Sequence, residues 1–277
     1  MNLPSNLTRR WKRWERHLTI SKRQQFVIIV VFLTLGLVAT QLVSHEFRYP
    51  AVILLSLVAY FSSAFGLRED LKGIEWVTLL TLPTLFTAAV SLFYFLLPVR
   101  WLTRLPIAAL YAVGMYALLL TENIYNVAAI RTIALLRAAH SVGFVLTLLT
   151  YFLLTQTILA FRLWALPNMI GVGLLGGILS YSSLWAMELD SGLNRRTLRL
   201  TILVAVIQME ISWVLSFWPI RTTLLALFYT TTFYGITGLA QQYLTDRLYK
   251  RTVIEFLTVV TIVFLIVLFS ARWRDPL

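Results

Sequence analysis

A carboxylate in the middle of an apolar run is the sharpest chemical feature of this chain. Glu210 lies in VAVIQMEISWVLSFW, with Gln208 two residues before it. A charge at the centre of a bilayer costs ~2.5–3.5 kcal/mol on insertion scales, so such a side chain usually turns to protein or water. There it could carry a proton, bind a cation or pair with an arginine from another helix. It could equally sit neutral, as a hydrogen-bonded structural tie.

A second group of polar residues occupies ENIYNVAAIRTIALLRAAH, residues 122–140. No proline occurs between Pro106 and Pro167, so a helical pattern can run on unbroken through this segment. In a continuous helix Glu122, Asn126, Arg137 and His140 fall within about 60° of one another at ~100° per residue, and Arg131 takes the opposite face. A carboxylate, an amide, a guanidinium and an imidazole on one stripe would build a polar site. The alternative is an amphipathic connector whose charges face water or headgroups. A chain reversal anywhere within it would destroy the shared face.

The remaining candidates argue mainly by exclusion. No HExxH, nucleophile elbow or Walker A loop is present. With no cysteine in the chain, disulfides, thiolate metal sites and cysteine nucleophiles are all ruled out. The acidic pairs Glu69 with Asp70 and Glu188 with Asp190 stand beside basic residues. They could hold Mg²⁺ against a lipid phosphate, but more often such pairs balance their arginines. His17, His45 and His140 fall at separate places, which argues against a metal site or a bis-histidine haem. No metal and no cofactor is expected. The GVGLLGG run, with Gly173, Gly176 and Gly177, reads as a surface for close helix packing, as do Gly235 and Gly238.

The elements that must position these residues follow from composition. Hydrophobic residues make up 59% of the 277, charged residues only 13%, and mean hydropathy is +0.78. A water-soluble domain of this size needs more polar surface, so its solvent must largely be lipid. Apolar runs long enough to cross a ~30 Å hydrocarbon layer as helix cover Phe26–Ser44, Pro50–Leu67, Trp76–Leu97, Leu105–Thr121 and Ser141–Phe161. Four more cover Asn168–Met187, Thr201–Trp218, Thr222–Gln241 and Val253–Ala271. Pro106 is expected in the first turn of the fourth, where its missing N–H does least harm. Alternating ten-residue strands of a barrel are absent. The expected fold is all-α: a polytopic transmembrane helix bundle over residues 26–277, with about nine spans (eight to ten), preceded by a basic segment over residues 1–25.

In that segment Leu7, Trp11, Trp14 and Leu18 recur at helical spacing among arginines and lysines. This predicts an N-terminal interfacial helix with its indoles at headgroup level; a basic tail that only sets orientation is the alternative. The following apolar run is too long for a removable signal peptide and is read as an anchor. With nine spans and the N-terminus inside, seventeen of the 24 Lys/Arg fall on the cytoplasmic side and seven outside. The split favours N-in and C-out. Without the N-terminal cluster it is ten to seven. The formal charge of +12 is accounted for by flanks that meet anionic headgroups, not by nucleic-acid binding.

VSLFYFLLPVRWLTRLPIAALYAVGMYALLLTENIYNVAAIRTIALLRAAHSVGFVLTLLTYFLL, residues 90–154, resembles the core of an uncharacterised family of small multi-pass membrane proteins from candidate-phylum (Patescibacteria) bacteria. LSFWPIRTTLLALF and RLYKRTVIEFLTVVTIVFL are similar too. The resemblance implies that TENIYNVAAIRTIALLRAAHSVGF is a family hallmark; it brings no activity and no catalytic residues. The function expected is a non-enzymatic envelope component of the cytoplasmic (inner) membrane. Its partners would be the bilayer, anionic headgroups and either a membrane protein or a second copy. One alternative is a small transporter or lipid-handling protein using Glu210 with Glu122–His140, which would need a water-accessible cavity reaching Glu210. Another is a membrane transferase on a lipid phosphate, which would need acidic and basic side chains converging at a headgroup-level cleft.

Overall fold

The computed structural model describes residues 21–68, 73–97, 101–129, 135–189 and 192–271. The N-terminal stripe of Leu7, Trp11, Trp14 and Leu18 lies outside them, as do His17, Glu69, Asp70, Arg131 and Asp190. Among the described residues there are nine long helices: α1 (Lys22–Thr40), α2 (Arg48–Leu67), α3 (Glu75–Phe95), α4 (Trp101–Ala128), α5 (Leu136–Ala160), α6 (Ala165–Glu188), α7 (Arg195–Leu215), α8 (Thr222–Leu244) and α9 (Lys250–Ser270). A 3₁₀ turn over His45–Phe47 leads into α2. All nine are long and apolar enough to cross a membrane.

Helix is the form that lets a backbone satisfy itself where no water is available. Two helix starts are marked by side-chain caps. Ser21 and Gln24 form a reciprocal capping box at α1, and the Asn194 side chain accepts from the Arg196 amide at α7. The departures from the apolar runs are informative. The fourth run predicts a helix ending near Thr121, whereas α4 continues to Ala128. Glu122, Tyr125 and Asn126 are buried within the bundle, so their polarity does not mark an exit from it. Pro106 falls inside α4 rather than at its start. The pattern over residues 122–140 does not continue as one helix, because α4 ends at Ala128 and α5 begins at Leu136.

Helix α5 runs through the middle, packed against α3, α4, α6 and α8. The most extensive contact joins α6 to α7, and glycines make it close. A Cβ on Gly173 would lie 2.1 Å from Met209 Cγ and 3.1 Å from the Ala205 carbonyl oxygen, and one on Gly177 would lie 3.2 Å from Ala205 Cβ. Between other helices aromatic rings fill the core. Tyr151 stacks on Phe233 at 4.4 Å and Phe86 on Tyr111 at 5.7 Å.

Most buried hydroxyls are used up locally. Thr87, Thr150 and Thr155 each donate to the carbonyl one helical turn back. The outer surface is the reverse of a soluble protein's, with Phe32, Phe61, Leu110, Phe217 and Phe269 exposed. A continuous apolar exterior of this extent needs a non-aqueous covering. Gly173→Ala is expected to destabilise the fold by about 1–3 kcal/mol through overpacking. Gly192→Ala, which meets nothing within 4 Å, serves as the control; thermal unfolding in detergent compares the two.

Candidate functional site

Five helices converge on one small cavity that carries polar groups on its wall. Thr78 comes from α3, Glu122 and Tyr125 from α4, His140 and Thr147 from α5, Ser183 from α6 and Gln241 from α8. Its volume of about 20 Å³ is room for about one water molecule. The chain reversal between α4 and α5 removes the single-helix stripe, yet it folds Glu122 and His140 onto the same cavity from antiparallel helices.

The groups around the cavity are held firmly. His140 Nε2 lies 2.9 Å from the Ala186 carbonyl oxygen. A carbonyl can only accept, so Nε2 carries the proton and, in the neutral ring, Nδ1 keeps its lone pair. Tyr125 donates its hydroxyl to the Ala139 carbonyl at 2.9 Å, and its ring lies 5.5 Å from that of His140. Gly143 makes room for this, since a Cβ there would stand 2.6 Å from the Tyr125 hydroxyl. Gln241 Nε2 donates to Ser183 Oγ at 2.8 Å, tying α8 to α6. Glu122 is 3% exposed.

A larger recess opens beside this cavity, of about 340 Å³. Arg137, Ser141 and Phe144 of α5, Tyr234 and Gln242 of α8, Arg247 beyond α8 and Phe256 of α9 line it. His140, Phe144, Met187 and Gln241 line both spaces. Neither guanidinium has an ion-pair partner among the described residues. The carboxylates nearest Arg247 in sequence are engaged elsewhere: Asp246 with Arg196 at 3.6 Å and Glu255 with Arg251 at 3.2 Å. Gln241 lies three residues before the end of α8, about 4.5 Å along the axis, which puts the recess at one end of the bundle. Arg196 is at that end too, donating to the Tyr243 carbonyl.

The other residues singled out from sequence fall elsewhere. Asn126 is fully buried and donates to the Leu67 carbonyl at 3.1 Å, so it ties α4 to the end of α2. Glu210 is exposed on the outer face of α7, with no hydrogen bond or ion pair among the described residues. Its neighbour Gln208 takes the interior position, 0% exposed and bonded to Thr232 and the Tyr229 carbonyl on α8. Glu188 accepts a hydrogen bond from Thr197. Sequence reading passed over Tyr125, Ser183, Gln241 and Arg247. Only their meeting across helices marks them, and no spacing along the chain encodes it.

A bundle with this many bilayer-length helices and an apolar exterior is a multi-pass membrane protein. It belongs to the family of proteins of unknown function DUF5656, which matches residues 131–270. The recess residues fall within that stretch and Glu122 precedes it. No curated protein and no solved structure matches the chain.

Gly143→Ala is expected to lower stability by about 1–3 kcal/mol, because Tyr125 must give up its place over Ala139. Glu210→Leu removes an exposed carboxyl without a partner among the described residues and should leave the unfolding midpoint in detergent unchanged. Thermal melts of the two variants beside the parent test both expectations.

Proposed function

We propose that this protein is a non-enzymatic component of a bacterial cytoplasmic membrane that binds an anionic lipid headgroup in the recess between α5, α8 and α9. The observation that carries this is the pair of guanidiniums, Arg137 and Arg247, facing one recess without a carboxylate to neutralise either among the described residues. Arginine presents planar, fork-shaped donors suited to phosphate oxygens. His140, Ser141, Gln242 and Thr245 add polar groups, while Phe144, Tyr234 and Phe256 provide an apolar side. A phosphate carrying acyl chains is the ligand that needs both.

The recess sits at the end where Arg195, Arg196, Arg199, Lys250 and Arg251 begin α7 and α9. The positive-inside tendency makes that the cytoplasmic side, with the N-terminus inside and, with nine spans, the C-terminus outside. Anionic lipids of the inner leaflet attract basic side chains there by about 1 kcal/mol each. The convergence of arginines and an imidazole also favours a second reading, a transferase acting on a lipid phosphate. Binding is preferred because no carboxylate lines the recess among the described residues. An outward-facing Glu210 gives no support to a transport site at that residue.

Native mass spectrometry of the purified chain should show retention of phosphatidylglycerol over phosphatidylcholine. Arg137→Ala and Arg247→Ala should each weaken that retention about fivefold, the equivalent of ~1 kcal/mol. Equal retention of both lipids, or indifference to both substitutions, would reject the reading. The absence of cysteine makes orientation directly readable. In intact cells Leu163→Cys should react with an impermeant maleimide and Gly192→Cys only after permeabilisation; the reverse pattern would invert the topology.

A further inference from the structure

We propose that the small cavity around Glu122 is a binding site for one small monovalent cation, with sodium as the ion of matching size and charge. The inference does not depend on the lipid reading, since the arginines of the recess do not line this cavity. Glu122 is 3% exposed and faces the cavity, and no hydrogen bond or ion pair reaches its carboxyl among the described residues.

The decisive feature is where the surrounding protons go. Thr78 donates to the Ile74 carbonyl at 3.3 Å and Thr147 to the Gly143 carbonyl at 2.8 Å. Tyr125 donates to Ala139, His140 Nε2 to Ala186 and Gln241 Nε2 to Ser183. Each of these donors has turned a proton toward another acceptor, which leaves lone pairs on the hydroxyl oxygens and on His140 Nδ1. The oxygens of Thr78, Thr147 and Tyr125 and the carboxyl of Glu122 therefore border the space as acceptors, beside an apolar wall from Leu82, Phe144 and Met187. Such a space favours an occupant that brings positive charge.

Charge and size narrow the occupant further. One carboxylate balances one positive charge, while neutral oxygens replace the hydration shell of a hard cation. A divalent ion would call for more anionic ligands, and no group of three His, Cys, Asp or Glu suited to a metal occurs among the described residues. A volume of about 20 Å³ admits one body no larger than a water molecule. Five helices supply the lining, so an ion held there would fasten α3, α4, α5, α6 and α8 at a single point.

The test uses the full chain purified in detergent at fixed pH and ionic strength, with sodium chloride compared against N-methylglucamine chloride, whose cation is too large to enter. Sodium is expected to raise the unfolding midpoint with the logarithm of its concentration above Kd, by roughly 5 °C at a hundredfold excess. Radioactive sodium should bind at one ion per chain. Glu122→Gln keeps the shape but removes the charge and adds donors, and should abolish both effects. Thr147→Val keeps the volume and removes one oxygen; it should weaken sodium binding several-fold, and it carries the test if Glu122→Gln does not fold. Equal midpoints in the two salts would overturn the proposal, as would sodium binding that survives Glu122→Gln. So would stabilisation on acidification that is identical in both salts, which would leave Glu122 holding a proton and nothing more.

Discussion

Hydrogen-bonding capacity that lipid cannot satisfy has to be used up inside the chain, and the arrangement of this bundle follows from that constraint. The backbone meets it by forming helices. Many threonines, such as Thr87, Thr150 and Thr155, meet it by turning their hydroxyls onto the preceding turn of their own helix. The longer polar side chains meet it across helices, as Asn126 does with Leu67, Gln208 with Thr232 and Gln241 with Ser183. Among the charged groups left without a partner among the described residues are a buried carboxyl at Glu122, two guanidiniums at one end and an outward carboxyl at Glu210.

Three of those four residues lie at the same end, and His140 joins them into two levels. Its ring borders both the larger recess and the small cavity, and its Nε2 proton is held by α6. Movement of α5 or α6 would therefore alter both spaces together. Close packing of α6 on α7 through Gly173 and Gly177 fixes one side of this arrangement, while Gly143 lets Tyr125 complete the other.

The spans were legible because length and apolarity are properties of the chain alone, and each expected run became a helix. Depth could be read the same way, but not azimuth. Hydropathy placed both Gln208 and Glu210 mid-span without revealing that the amide turns inward and the carboxyl outward, since facing is decided by neighbours. The segment around residues 122–140 shows a different limit. It contains no glycine or proline to announce a reversal, so the same residues fit one long helix or two antiparallel ones. Glu122 and His140 were recognised as candidates on the wrong geometry, and the fold brought them together by another route. The N-terminal tryptophan stripe lies outside the described residues, so its place against the membrane is still a sequence expectation.

Helix α9 carries a consequence for how the bundle meets its surroundings. It packs chiefly on α8, with Val267 its one fully buried side chain and with Val260 and Phe256 set into the notches of Gly235 and Gly238. A stave fastened at so few points has little protein contact to lose by leaning. When the hydrocarbon layer thickens or thins, tilting costs fractions of a kcal/mol per ångström of mismatch, and α9 can take up that change while α3, α5 and α8 stay upright. Because Phe256 also forms one wall of the recess, bilayer thickness becomes a mechanical input to the width of its mouth, which helix-tilt measurements in short- and long-chain lipids would register.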